Sequence, residues 1–316
     1  MTIKNFSLLF AFLGVFTFLT SCQKDNDSNE ELKGSAQFEI TDAPIDDANV
    51  SAAFVTISEI KVDGKSIEGF NKTTIDILAY QNGNTKLLAD TDIEAKSYSN
   101  ITLVLDFEED ANGNSPGCYV EENNGSVKHK LASTSNEITV NHNFNVEADS
   151  QSQIVLDFDL RKCIKKEDNE NDKYEFVSSA EMEAGIRVVS KSNVGIIKGN
   201  CNDIITGSDK IVVYAYKKGD YNRNAEVQGQ GQSNIEFANA VTSSSLDANG
   251  NYELHFLEEG EYEIHYSAYE EKSDGEVELK GMLIADLIGS LDLGAVEVDA
   301  SASVTVDVLI TGILPL

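Results

Sequence analysis

Apolar and polar residues alternate along most of the chain, and this pattern predicts strands. In AQFEI, Ala36, Phe38 and Ile40 share one face, and ITLVLDF and EITVNHNFNV repeat the same period of two. That period is typical of half-buried β-strands. Turn sequences such as DGK, QNGN, DANGN and ENNG separate the strands at intervals that favour a sandwich over a parallel sheet with helical crossovers. The predicted fold class is mainly β.

Two of these strands resemble each other, LVLDF at 103–107 and IVLDF at 154–158. In each, the aliphatic residues and the phenylalanine are predicted to face inward, whereas Asp106 and Asp157 face solvent, as in antiparallel strands that are wetted on one side. A single repeat of this kind does not indicate a solenoid. It indicates two similar strands within one sandwich.

A second series of strands begins with KIVVYAYKKG, after the character of the sequence changes near SKSNVGIIKGN. Farther on, apolar residues alternate on both sides of an acidic turn in NYELHFLEEGEYEIHY. A three-residue loop at 258–260, with Gly260 in the left-handed conformation, would align the two apolar rows. We therefore predict a hairpin in which Phe256 pairs with Tyr262.

This hairpin register also predicts the surroundings of two histidines. His255 would lie opposite Glu263, and Glu253 opposite His265, as ion pairs on the polar face. A metal site with two histidines and two glutamates is the alternative. Because zinc ligands usually converge from several directions, which an exposed sheet face does not provide, we predict no metal here.

The N-terminal segment resembles a bacterial lipoprotein signal. An apolar run at 6–19 follows Lys4, and its length fits a secretory signal but is too short to cross a bilayer core of about 30 Å as a helix. Leu19 to Cys22 resemble the lipobox, which implies that residues 1–21 are removed and that Cys22 carries acyl chains that attach the protein to a membrane. An ordinary signal peptide followed by a chance cysteine is the alternative.

The residues after Cys22 bear on localisation. QKDND is similar to the short acidic export signal of Bacteroidota lipoproteins, which implies an outer-membrane location facing the cell exterior. The segment 22–33 is polar enough to form a disordered tether whatever its destination.

Two stretches of the mature chain resemble known families. EITDAPIDDANVSAAFVTISEIKVDG, SYSNITLVLDF and QIVLDFDLRKCI resemble a family of unknown function found in bacterial lipoproteins, numbered 4382 among such domains. Its most specific part is the Thr-Asp-Ala-Pro motif at 41–44. This resemblance covers about 34–190, implies a β-sandwich and supplies no catalytic residue.

The stretch from GNY to EYEI is similar to carboxypeptidase-regulatory or transthyretin-like domains, small β-sandwiches classed with carbohydrate-binding-like folds. This resemblance implies an accessory or binding module, although fold alone does not establish function. The predicted organisation is therefore two tandem antiparallel β-sandwiches, at 34–190 and 193–316, after a cleaved signal peptide.

The amino-acid composition limits the classes of binding partner that are expected. Lysine and arginine number 24 against 54 acidic residues, a net charge of −30. Since nucleic-acid binding depends on basic residues that neutralise phosphates, nucleic acid is not an expected partner. The excess of acidic residues favours a solvated surface, and cation binding is the alternative interpretation. Tryptophan is absent, so an aromatic sugar platform would have to use tyrosine.

Calcium is a specific alternative. DANGN occurs at 110–114 and 247–251, and each copy has a glutamate at the twelfth position of a hypothetical EF-hand loop, Glu121 or Glu258. The glycine that such a loop needs at position six is missing, so Asn-Gly turns explain both copies more simply. A looser calcium site remains an alternative, with ligands drawn from Asp42, Asp46, Asp47, Asp157 and Asp159.

The remaining cysteines would lie in an oxidising compartment after export. Cys118 and Cys163 each follow one of the two LDF strands, so we predict that they form a disulfide and that Cys201 stays free.

The sequence contains no Gly-x-Ser-x-Gly, His-Glu-x-x-His, Cys-x-x-Cys or phosphate-binding glycine loop. We therefore predict a protein without catalytic residues or cofactor, acting as a binding or accessory module for an extracellular glycan or protein. A structural envelope or scaffold lipoprotein is one alternative. A hydrolase with an unrecognised pair of carboxylates is the other.

Overall fold

The structure of the protein is a computed structural model, and its described residues are 32–43, 50–122, 125, 127–166, 174–272, 277–289 and 292–316. The predicted signal peptide, Cys22 and the tether up to residue 31 lie outside the described residues, as does Pro44 of the Thr-Asp-Ala-Pro motif. No helix among the described residues is long and apolar enough to cross a membrane.

The described chain is mainly β, which confirms the predicted fold class. The strands before residue 191 are β1 (Lys33–Ala43), β2 (Val50–Val62), β3 (Lys65–Ser66), β4 (Thr73–Asp76), β5 (Lys86–Glu94), β6 (Ser97–Leu105), β7 (Tyr119–Glu122), β8 (Val127–Lys130), β9 (Glu137–Asn145), β10 (Gln151–Asp159), β11 (Ile164–Lys166), β12 (Tyr174–Phe176) and β13 (Ile186–Ser190). The later strands are β14 (Val194–Asn202), β15 (Lys210–Lys217), β16 (Thr242–Ser245), β17 (Asn251–Glu258), β18 (Gly260–Glu271), β19 (Val277–Leu287), β20 (Val296–Val298), β21 (Ser303–Thr305) and β22 (Val308–Pro315). The helices are α1 (Leu160–Cys163), α2 (Ser179–Gly185) and α3 (Arg223–Glu226), with 3-10 turns at Ile77–Ala79 and Lys191–Asn193.

Two sheets enclose the core of residues 32–190, the N-terminal part. One has the strand order β13-β10-β1-β5, and the other has the order β8-β7-β2-β6-β9, with β3 and β4 also paired to β2. The two similar LDF strands lie in different sheets and contribute to one core, in which Leu103, Leu105, Leu156 and Phe158 are at most 2 % exposed. Burying each such side chain contributes about 1.5–3 kcal/mol, so the apolar rows stabilise the sandwich.

Some strand pairs are parallel, which the hairpin-like sequence pattern did not predict. Strand β1 runs parallel to β10, with Phe38 opposite Ile154, and β14 runs parallel to β21 and β22. Parallel neighbours need long connections, and here the whole second sheet lies in sequence between β1 and β10.

Nine strands of residues 191–316, the C-terminal part, form the third large sheet. Its order is β16-β15-β18-β19-β22-β14-β17, with β20 beside β18 and β21 beside β14. Its core includes Tyr252 and Tyr266, whose hydroxyls lie 2.8 Å apart, and the Tyr252 hydroxyl also donates to Val306 O at 2.7 Å. Buried tyrosines are thus packed with their polar ends satisfied.

The predicted hairpin between β17 and β18 is wrong. Strand β17 pairs with β14, whereas β18 pairs with β15, β19 and β20. Phe256 has a φ of +57°, and the pairing of β14 with β17 shifts register nearby, so β17 bends away from β18. His255 Nε2 instead lies 2.8 Å from Glu253 on its own strand, and the same along-strand contact occurs at His265.

The segment between β15 and β16 covers the outer face of the third sheet. Phe237 stacks on Tyr214 with ring centroids 4.2 Å apart. Glu226, which is fully buried, accepts hydrogen bonds from the Tyr216 hydroxyl at 3.0 Å and from the Asn239 side chain at 2.6 Å. A single carboxylate therefore holds this covering segment against β15.

Residues 32–316 pack as one compact unit. The strands change from the first two large sheets to the third between β13 and β14. The division into domains at 34–190 and 193–316 stays a prediction.

Candidate functional site

The C-terminal part covers the outer face of β10 and β13. Val155, Val189, Val194 and Phe256 form a small buried cluster there. Asp157, predicted to face solvent, is only 4 % exposed because this second layer covers it. We call this contact region the junction.

One cation at the junction is Arg187. Its guanidinium donates to the Asp157 carboxylate and, at 3.1 Å, to the Phe256 carbonyl. The Phe256 backbone has positive φ, which a bulky residue rarely adopts, so the surrounding packing must hold it there. Arg187 contributes by binding the Phe256 carbonyl in that conformation.

Two further cations, both in α1, also contact one aspartate and one backbone carbonyl each. Arg161 donates to Asp159 at 3.0 Å and also to the Glu236 carbonyl. Lys162 lies 3.6 Å from Asp159 and donates to the Ala240 carbonyl. Each cation therefore links an aspartate of the N-terminal part to a backbone carbonyl of the C-terminal part, and charge-assisted hydrogen bonds of this kind are among the stronger ones.

The Thr-Asp-Ala-Pro motif fixes backbone next to the junction. Thr41 Oγ1 lies 2.8 Å from the carbonyl oxygens of both Tyr80 and Asn84. Asp42 accepts from the Leu160 amide at 3.2 Å and from the Gln81 side chain at 3.1 Å. The described residues of the motif thus position the loop around residue 81 and the start of α1.

Burial raises the pKa of Asp42 well above its ordinary value. As the pH rises past that ordinary value, the unfolded chain loses the proton that the folded chain keeps, so wild-type stability falls. Asp42→Asn, which can bond Leu160 N and a flipped Gln81 amide, should gain stability over wild type by about 1.4 kcal/mol per pH unit between the two pKa values. Melting temperatures from pH 4 to 7 measure this.

Asp106→Asn is the control of opposite sign, since a hydrogen bond from Lys72 lowers the pKa of Asp106. That aspartate contributes stability above its ordinary pKa and loses it as the pH falls, so its variant should be the less stable one at pH 7. A gain for Asp42→Asn that does not change with pH would contradict the prediction.

The looser calcium site gains no support from the described aspartates. Asp157 and Asp159 are each paired with cations, and Asp46 and Asp47 lie outside the described residues. Within the described ranges, no group of three His, Cys, Asp or Glu residues is arranged to hold a metal.

The two DANGN stretches form turns, as predicted. Asp110 Oδ1 accepts from the amides two and four residues farther on, both at 2.8 Å, and Asp247 does the same at 2.8 Å. In each turn, Oδ1 of the aspartate therefore accepts from the backbone of that same turn.

The structure does not contain the predicted Cys118–Cys163 disulfide. Both residues and Cys201 are buried free thiols. Cys118 Sγ accepts from the Thr56 amide at 3.3 Å in the sheet of β2 and β7, whereas Cys163 packs where α1 meets α2. Burial raises the pKa of Cys118 to about 12, which makes its thiol unreactive.

A polar cleft of about 750 Å³ lies beside the junction, between the loop around residue 81 and strands β16 and β17. Both parts contribute polar groups to it, including Ser51, Gln81, Asn82, Ser244, Asn251 and Glu253. Tyr252 also lines the cleft but is only 2 % exposed, so its ring offers no platform for stacking. The cleft suits a ligand that is bound by hydrogen bonds.

Glu253 and His255 form an acid–base contact beside this cleft, at 2.8 Å. The Ser244 hydroxyl donates to the Ser245 carbonyl and accepts from the Glu253 amide, so it is not bonded to His255. Nucleophilic catalysis needs a hydroxyl bonded to its base, and this arrangement does not supply it.

A comparison with family models locates a known domain in the chain. Residues 33–178 match the family described as a domain of unknown function, DUF4382. The match contains Asp157, Arg161 and Lys162 but stops before Arg187. The DUF4382 residues therefore supply most of the junction charges, while β13 completes both the sheet and the junction.

Similar solved structures include the Bacillus anthracis TIE protein, at 13 % identity over 88 % of this chain and 34 % of that protein, with a TM-score of 0.20. Others are the major pilin subunit of Bacillus cereus, at 9 % identity over 89 % and 70 % with a TM-score of 0.21, and a minor pilin of Streptococcus agalactiae, at 15 % identity over 89 % and 99 % with a TM-score of 0.20. Likenesses this weak carry no argument about this chain. No curated protein sequence matches it.

Proposed function

We propose that the protein is a non-enzymatic lipoprotein on the outer face of the outer membrane, and that it binds an extracellular glycan or protein. The observation that carries this proposal is the polar cleft shared by two parts that charged side chains hold together at the junction. A cleft fixed in advance loses little freedom on binding, so its hydrogen bonds translate more fully into affinity.

The cleft lining supports a polar ligand. Hydroxyl and amide side chains from both parts match sugar hydroxyls or peptide groups, and such groups orient a ligand in a pocket. Asn82 is exposed, with a φ of +53°, in the loop that Thr41 and Asp42 position. Its side chain is available to a ligand at the mouth of the cleft.

Asn82→Gly tests the cleft, because glycine keeps the positive φ and removes only the amide. Binding to the ligand identified on a glycan array, or captured from the cell surface, should weaken about tenfold, the value of one to two hydrogen bonds. Asp149→Gly is the matched control, since Asp149 also has positive φ, at +56°, but lies on an exposed turn outside the cleft. Equal affinities for the two variants would contradict a role for the cleft.

The anchor is a separate element of the proposal. Residues 22–31 would reach up to roughly 35 Å when extended, enough to hold the folded part clear of the membrane surface. Cys22→Ala should release the protein from the membrane fraction, because acylation needs the thiol. A variant that still sediments with membranes, or a wild-type protein that resists protease on intact cells, would contradict the anchor or the outward orientation respectively.

A further inference from the structure

A second cavity, the groove, lies on another side of the junction and is independent of the polar cleft. Its volume is about 520 Å³, and β9, which contributes His142, together with α2, β13, β15 and β17 forms its walls. Arg187 and Lys217 place two cations in it, and Ala180, Ala184 and Val241 give it apolar walls. Glu183 and Glu258 line the same groove, so its two cations are matched by two carboxylates.

Lys217 is the unusual residue of this groove. It is half-buried, its Nζ lies 4.5 Å from the centre of the Tyr262 ring, and it forms no ion pair with a described carboxylate. Gly260 lies beside this ammonium, and a Cβ there would make only an ordinary van der Waals contact with Nζ, at 3.5 Å. The adjacent Lys218, by contrast, is exposed and bonded to Glu261 at 3.0 Å.

The charges nearest Lys217 act on it without forming an ion pair. Burial lowers the pKa of Lys217. Among the nearby charges, Glu258 raises this pKa most, Arg187 lowers it and Asp220 raises it, and neither carboxylate lies at ion-pair distance. Arg187 already donates from Nη1 to the Phe256 carbonyl and from Nη2 to Asp157. An anion beside Lys217 would therefore meet one free ammonium donor and the field of a second cation.

We propose that the groove binds a single carboxylate group of an acidic ligand, with Lys217 as its hydrogen-bonding partner and Arg187 as a second positive charge. Glu183 and Glu258 also line the groove, and together with the net charge of −30 they oppose a polyanion. A singly charged group on a small, partly apolar body fits the two cations and the alanine and valine walls.

The test compares D-galacturonate with D-galactose, which has no carboxylate. NMR titration of the full chain measures the binding of each sugar. Galacturonate should bind and galactose should not. Lys217→Met should weaken galacturonate binding about tenfold, the value of one charged hydrogen bond, whereas Lys218→Met should leave it unchanged. Lys217→Arg keeps the charge and should retain binding, which separates loss of the ammonium from loss of folding.

N-acetylglycine identifies the source of the carboxylate. Binding of both acids with the same dependence on Lys217 supports the site and extends it to peptide carboxylates, and binding of galacturonate alone assigns it to acidic sugars. Equal binding of galactose, binding that Lys217→Met does not change, or no binding of either acid overturns the proposal. Asn82→Gly should leave the groove unaffected, so failure here is distinguishable from failure of the cleft.

Discussion

Replacing Arg187 with methionine should lower the free energy of unfolding by about 3–5 kcal/mol, the usual cost of removing one partner from a buried ion pair. The Asp157 side chain is 5 % exposed, and that of Arg187 is 20 % exposed, so water cannot readily replace the guanidinium. The variant would leave both the Asp157 carboxylate and the Phe256 carbonyl without this donor. Urea unfolding at pH 7 measures the loss.

Lys130→Met is the control for this experiment. Lys130 pairs with Glu108 at 2.6 Å, but the two side chains are 42 % and 75 % exposed, so the loss should be at most about 1 kcal/mol. Adding Asp157→Leu to Arg187→Met should recover much of the stability, since no buried charge is then left uncompensated. Arg187→Met costing no more than Lys130→Met would refute the junction as a main source of stability.

Local pattern predicted the faces of the strands but not their partners. The apolar rows of Tyr252 and Tyr262 are buried as expected, because alternation decides which side chains face a core. The hairpin failed because alternation says nothing about which strand is adjacent. Strand β17 is separated from β18 by the positive φ at Phe256 and by the strand order of the nine-stranded sheet. Neither feature can be recognised in a short stretch of sequence.

Asp157 shows the same limit at the candidate site. Its position in IVLDF predicts a solvent-facing carboxylate, yet residues as far along the chain as Phe256 cover that face. A signal was present in LDFDLRKC, where two acids and two bases interrupt an otherwise buried segment. Side chains that are charged in such a segment indicate a second layer, but the sequence does not say which later residues form it. The polar cleft could not be predicted for the same reason, since its walls are distant in sequence.

Glu226→Ala should cost about 3 kcal/mol or more, because it leaves several buried donors without an acceptor at about 1–3 kcal/mol each. The carboxylate is fully buried and accepts from the Tyr216 hydroxyl, from the Gln230 side chain at 2.9 Å, and from the amide and side chain of Asn239. Thermal unfolding should show the loss, whereas Glu297→Ala, at an exposed position on β20, should change stability by no more than about 0.5 kcal/mol.

The effect should extend to the junction, because the segment that Glu226 holds also carries the carbonyl that Lys162 binds. Ala240 O accepts from Lys162, and Asn239, next to Ala240, is bonded to Glu226. Once Glu226→Ala releases the segment, the hydrogen bond from Lys162 to the Ala240 carbonyl contributes less to stability. The double variant Glu226→Ala, Lys162→Met should therefore lose less free energy of unfolding than the two single variants combined, by about 0.5–3 kcal/mol in a double-mutant cycle. Strict additivity would mean that the covering segment and the junction are held independently.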